Sequence, residues 1–136
     1  MIEHGLGEYW SQATSGFDIR VDPKKPNEEA PRWNPKSPWM AFGSPNNHAL
    51  AGSDEDRPGE WNLLELVCYQ DDCVHIVNGK VVMALANARF RRGDDVIPMT
   101  GGKLQIQSEA AEVFYRDIEI RAIPAMPAEF AHYFAD

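Results

Sequence analysis

Two glutamates and a histidine are the residues of this chain best suited to moving protons. Glu65 stands between Leu63 and Val67 in an alternating apolar segment, where loss of water would raise a carboxyl pKa toward a useful value. Its plainer alternative is an edge carboxylate paired with Arg or Lys. Glu109 ends another alternating segment and shares a face with Gln105 and Gln107. Amides both donate and accept, as sugar hydroxyls do, so this row suits a polyol, or else it is a solvated outer face. His75 lies in a β-branched run and could act as acid, base or metal ligand, or serve as a structural residue. Arg116 alternates with Phe114 and Ile118, so its guanidinium needs an acceptor, either an oxyanion or a carboxylate in a structural ion pair. Trp10, Trp33 and Trp39 fall in or beside loops, where an exposed indole could stack on a pyranose ring, whereas Trp61 reads as core.

Strands must position these groups. Phe17, Ile19 and Val21 alternate with Asp18 and Arg20, the period of a half-buried strand. Residues 22–38 carry five prolines and no periodicity, which predicts a long loop. A short apolar run, Trp39 to Phe42, precedes a second irregular stretch. Trp61 to Tyr69 is apolar on both faces, as a central strand covered on both sides would be. Asn78-Gly79 between β-branched runs is a type I′ hairpin turn, because both central residues must take positive φ. That turn pairs Val77 with Lys80, Ile76 with Val81, His75 with Val82 and Val74 with Met83. Leu85 to Thr100 holds too many Arg and Asp residues to be core. Lys103 to Glu109 and Glu112 to Ile123 alternate again as strands, and the proline-interrupted tail 124–136 lies on the surface, pinned by Phe130, Tyr133 and Phe134. Short strands separated by turn signals, with no amphipathic helix, predict one all-β domain over residues 1–136, an antiparallel β-sandwich.

Composition narrows the function classes. The 136 residues, 43% hydrophobic and 25% charged, are those of an ordinary globular domain. A net charge of -8 points away from nucleic acid, whose phosphates need clustered Lys and Arg. No apolar stretch approaches the ~20 residues of a membrane-spanning helix. Phosphate-cradle, serine-hydrolase and zinc-protease motifs are missing from the chain. Cys68 and Cys73 flank a polar link and could face each other across a hairpin, as a disulfide or as two reduced thiols. Asp54-Glu55-Asp56 could hold calcium, a divalent cation being the one cofactor the sequence suggests, although a solvated acidic loop is the plainer reading.

Several segments in order carry a family resemblance. Pro58-Gly59-Glu60-Trp61-Asn62, Glu65, His75 to Val82, Gly102 to Glu109 and Ala111 to Ile120 together resemble the C-terminal half of the DUF1080, or 3-keto-disaccharide hydrolase, family, and the whole chain its C-terminal two-thirds. Ile2 to Gln12 is similar to that family's mid-domain strand and turn. Ala110 departs from the pattern, standing where the family usually has Gly. The resemblance implies a concanavalin A-like jelly roll whose concave face binds carbohydrate, and cleavage of glycosidic bonds in 3-keto sugars. Glu65, His75 and Glu109 would then be catalytic, with Trp10, Gln12, Trp39, Gln105, Gln107 and Arg116 contacting substrate. A non-catalytic lectin-like domain is the alternative. The family's first strands have no counterpart here, so a second copy is expected to complete the sheet as a homodimer, unless the Pro-rich Asp22 to Pro38 and the aromatic tail Phe130 to Phe134 fold over the gap and give a self-sufficient monomer. The resemblance also implies a periplasmic or secreted setting.

Overall fold

A computed structural model describes residues 6–43, 48–106, 108 and 112–135. Eight strands run in chain order: β1 (Tyr9–Trp10), β2 (Ser15–Arg20), β3 (Trp39–Gly43), β4 (His48–Ala49), β5 (Leu64–Tyr69), β6 (Asp72–Val77), β7 (Lys80–Arg92) and β8 (Asp95–Pro98). A 3-10 helix, Ala128–Tyr133, follows. Six strands form one antiparallel sheet, ordered β3-β2-β7-β6-β5, with β8 continuing alongside β7. β1 and β4 form a second, two-stranded sheet. This architecture belongs to the all-β sandwich class. Tyr9 of β1 packs edge-on to Phe17 of β2, ring centroids 4.0 Å apart, and so joins the small sheet to the core of the large one.

The alternation in β2 does what its period requires. Phe17 and Ile19 are buried, while Asp18 and Arg20 face the other way. Val74, Val77, Val82 and Met83 of the β6–β7 hairpin are fully buried with them. Residues 22–38 form the long loop expected, and it is an ordered one. Val21 bridges Trp33, Asp22 accepts from Asn34 and Ser37, and Trp33 sits in the core at 7% exposure. Trp33 is therefore unavailable to a sugar, contrary to its loop-like sequence setting. Phe130, Tyr133 and Phe134 pin the tail against the core, Tyr133 meeting Trp33 with centroids 5.7 Å apart.

The structure departs from the sequence reading elsewhere as well. The Asn78-Gly79 turn pairs Val77 with Lys80 and Ile76 with Val81, but His75 then opposes Met83 and Val74 opposes Ala84. A β-bulge at Val82 absorbs one residue and shifts the register. The charged segment lies outside the core beyond Ala86, as expected, and it is strand as far as Pro98. β7 runs on to Arg92 and turns at Gly93-Asp94 into β8, where Arg91, Arg92 and Asp95 are exposed to water. β5 is the outermost strand rather than a central one, with Leu64 and Leu66 each 55% exposed, and Trp61 ahead of it is exposed rather than core. Among the described residues after Pro98 there is no strand; Leu104, Ile106, Phe114, Ile118 and Ile120 are exposed. Alternation makes a strand only where a neighbour pairs its backbone and a layer covers one face, and the described residues supply neither there.

Candidate functional site

The expected catalytic residues do not converge. In an antiparallel pair, directly opposed residues share a face. Glu65 opposes Ile76, whereas His75 opposes Leu66, so Glu65 and His75 point to opposite sides of the sheet. Glu65 is exposed, not desolvated. The His75 imidazole donates from Nδ1 to the Gly7 carbonyl at 2.9 Å, and burial lowers its pKa, which leaves a neutral ring spent on holding the segment that leads into β1. Gln107, Glu109 and Ala110 lie outside the described residues. Gln105 and Gln12 are exposed. Arg116 stacks over Trp61 at 4.1 Å, with Asp117 3.5 Å from its Nε. Of the two loop indoles assigned to sugar contact, Trp10 is 47% exposed and stacks on His48, and Trp39 lines a cleft.

That cleft, about 330 Å³, opens on the face of the large sheet that carries Asp18. Its lining is Asp18, Trp39, Asp72, Ala86, Asn87 and Phe134. Register explains the space. Asp18 faces Ala41 on one neighbouring strand and Ala86 on the other, so no bulky cross-strand partner fills the surface beside it. The ladder between β2 and β7 slips between Gly16 and Asp18, and Asn87, at φ 52°, is the extra residue of that bulge. The bulge re-aims Asn87. Its side-chain amide donates to Asp18 Oδ2 at 2.8 Å, and its backbone N–H reaches Asp72 Oδ1 at 3.4 Å. Arg89 completes the row, donating from Nη2 to Asp18 Oδ1 and from Nη1 to the Asn87 carbonyl, both at 2.8 Å.

The two carboxylates sit in different surroundings. Asp18 is held by a guanidinium and an amide. Burial pushes the Asp72 pKa up, the Asn87 N–H pulls it down, and the neighbouring Asp71 charge adds to the rise. At the far end Arg20 lies 4.7 Å over the Trp39 ring and donates to Pro35 and Ala135 carbonyls, tying loop and tail beside the cleft. Glu65 is on this same face of the sheet, since Tyr69 opposes Asp72, but four residues along β5 it is roughly 13 Å away.

A second polar group lies on the small sheet. His48 Nε2 is 2.9 Å from Glu8 Oε2, its Nδ1 is 4.0 Å from Glu29 Oε1, and Trp10 stacks on the ring at 3.8 Å. One donor atom from each of Glu8, Glu29 and His48 falls within 4.8 Å of the others, so these residues could hold a divalent cation. The two glutamates approach opposite nitrogens of one imidazole, which equally describes a histidine braced between carboxylates. The acidic run 54–56 is engaged elsewhere: Asp54 pairs with Arg32, and Glu55 with Lys80.

Sequence reasoning passed over Asp18, Asp72, Asn87 and Arg89. The signal for Asp18 was present, a carboxylate on the polar side of the cleanest alternation in the chain. Asn87 had none, because a bulge is set by how two strands of different twist meet.

The fold and cleft describe an all-β sandwich with a sugar-sized polar trough beside an indole. A family profile described as 3-keto-alpha-glucoside-1,2-lyase-like domain matches residues 2–121, and the chain belongs to that family. No curated protein and no solved structure matches the chain. The family supports a carbohydrate-active role.

Proposed function

We propose that the chain cleaves the glycosidic bond of 3-keto-glycosides, with the Asp18–Asn87–Asp72 cleft as its site. The observation that carries this reading is the pairing of two carboxylates in unlike environments across one asparagine, beside Trp39. A ketone at C3 acidifies the C2 hydrogen. A base takes that proton, the electron pair forms an enolate, and the C1–O bond breaks with a proton delivered to the leaving oxygen; water adds afterwards. Asp18 is suited to the base, held in place by Arg89 and Asn87. The guanidinium and amide also supply donors for an enolate oxygen. Asp72, whose pKa burial raises, is suited to protonating the leaving group. Trp39 offers a face for the sugar ring.

The test is release of a chromogenic aglycone from a 3-keto-glucoside. Asp18→Asn and Asp72→Asn should each lower turnover by about 100-fold or more, while Glu65→Gln and His75→Gln leave the chemical step largely intact. Loss of turnover in Glu65→Gln with both aspartate variants active would overturn the assignment of the site. Tight sugar binding without turnover in the wild type would favour the lectin-like alternative.

A further inference from the structure

Cys68 and Cys73 are directly opposed across the β5–β6 hairpin, with Sγ atoms 3.0 Å apart and both thiols free. Directly opposed residues in an antiparallel pair have Cα atoms about 4.5 to 5.5 Å apart, within the ~4.4 to 6.8 Å that a disulfide spans. The backbone therefore does not have to move for the two sulfurs to bond. Exposure is asymmetric. Cys68 lies on the outermost strand and is open to solvent, while Cys73 is half-buried beside Leu85.

We propose that Cys68 and Cys73 form a thiol–disulfide exchange site that takes low-molecular-weight disulfides, Cys68 as the attacking thiol and Cys73 as the resolving one. The Cys68 thiolate attacks one sulfur of the incoming disulfide, forming a mixed disulfide and expelling one thiolate. Cys73 then gives up its proton to solvent and attacks Cys68 Sγ, closing the cross-strand bond and expelling the second thiolate. The pair is oxidised by two electrons, and one disulfide becomes two thiols. This proposal is independent of the sugar cleft.

The electrostatics assign the order of attack. The hydrogen bond from Cys73 holds the Cys68 thiol at about 7, below its ordinary 9.0, against an opposing push from burial. Cys73 moves strongly the other way through that same bond, its burial and the nearby Cys68 and Asp72 charges. The other titratable groups near Cys73 are Tyr9 and, two residues along the same face, neutral His75, neither of which favours a second thiolate. The lowered pKa gives Cys68 more thiolate at neutral pH than an unperturbed thiol has, offset in part by lower intrinsic nucleophilicity.

The experiment uses the reduced full chain and oxidised glutathione. Intact-mass spectrometry should show loss of two hydrogens with no lasting glutathione adduct, reversed by dithiothreitol, and Ellman titration should fall from two thiols to none. Cys73→Ser, which lacks the resolving thiol, should instead accumulate the glutathione adduct on Cys68. Cys68→Ser should stay unmodified over the same interval. Failure of the wild type to lose its thiols, a stable adduct on the wild type, a disulfide between two copies, or an unreactive Cys73→Ser variant would each overturn the proposal.

Discussion

Gly7→Ala tests how the small sheet is fastened to the large one. Gly7 has φ 82°, and a Cβ there would lie 2.5 Å from Val82 Cγ2 and 3.1 Å from Val77 Cγ2. Both valines are fully buried, so neither can swing into open space. The left-handed backbone costs alanine about 1 to 2 kcal/mol, and forcing a methyl into a filled site adds about 1 to 3 kcal/mol. Restricting the unfolded chain returns about 0.4 to 1 kcal/mol, so the net loss should be about 3 kcal/mol. For a chain of this length that is a fall in Tm of about 12 °C. Urea denaturation followed by tryptophan fluorescence gives the free energy, with an unchanged m-value as the check that only stability has moved. The same substitution in a Val82→Ala background should cost only about 1 kcal/mol more, because the nearest clashing methyl has gone. A Gly7→Ala protein within about 0.5 kcal/mol of wild type would refute the placement of this segment over Val77 and Val82. An equal cost in both backgrounds would show that backbone strain, and not the close approach, is responsible.

Asp72→Asn should change the pH dependence of stability. Because burial raises the Asp72 pKa, the folded protein holds a proton that the unfolded chain has begun to lose above 3.8, so wild-type stability falls through that window as pH rises. The variant should lack this component, and a wild-type-minus-variant difference that stays flat across the acidic range would contradict the burial of that carboxyl. Trp39→Ala should weaken sugar binding about tenfold in calorimetry, with Trp39→Phe retaining most of the affinity; equal binding by all three proteins would remove the indole from the site. The chain should sediment as a homodimer at micromolar concentration, and Leu66→Lys on the β5 edge should return it to monomer. A wild-type mass of 15.3 kDa unchanged on dilution would rule the dimer out.

How legible the fold was depended on whether a segment's neighbours are near it in sequence. The β6–β7 hairpin could be read because Asn78 and Gly79 both take positive φ in the turn, a requirement few residue pairs meet. Its register failed three residues on, where the Val82 bulge depends on how β7 meets two strands at once. Trp33 looked like a loop residue because prolines surround it, yet its hydrogen bond to the Leu50 carbonyl and its bridge to Val21 fix it against the core. Those contacts are long-range and leave no periodic trace. Alternation in β5 was real, but it reports which faces are apolar and not whether anything covers them.

The site was harder to read for a related reason. A carboxylate within an apolar alternation, such as Glu65, looks desolvated when sequence neighbours alone are counted. Solvation is set by what lies across the strand and above the face, and on the outermost strand that is water. Asp18 is the converse, since its immediate neighbours in the pattern give no sign that Arg89 and Asn87, some seventy residues away, close over it. The alternation identifies Asp18 as facing away from the core, and the alanines at positions 41 and 86 identify space beside it, but only the pairing of β2 with both flanking strands puts the two observations together. In an antiparallel sheet, a small residue opposite a charged one on each flanking strand is what turns a solvated face into a cleft.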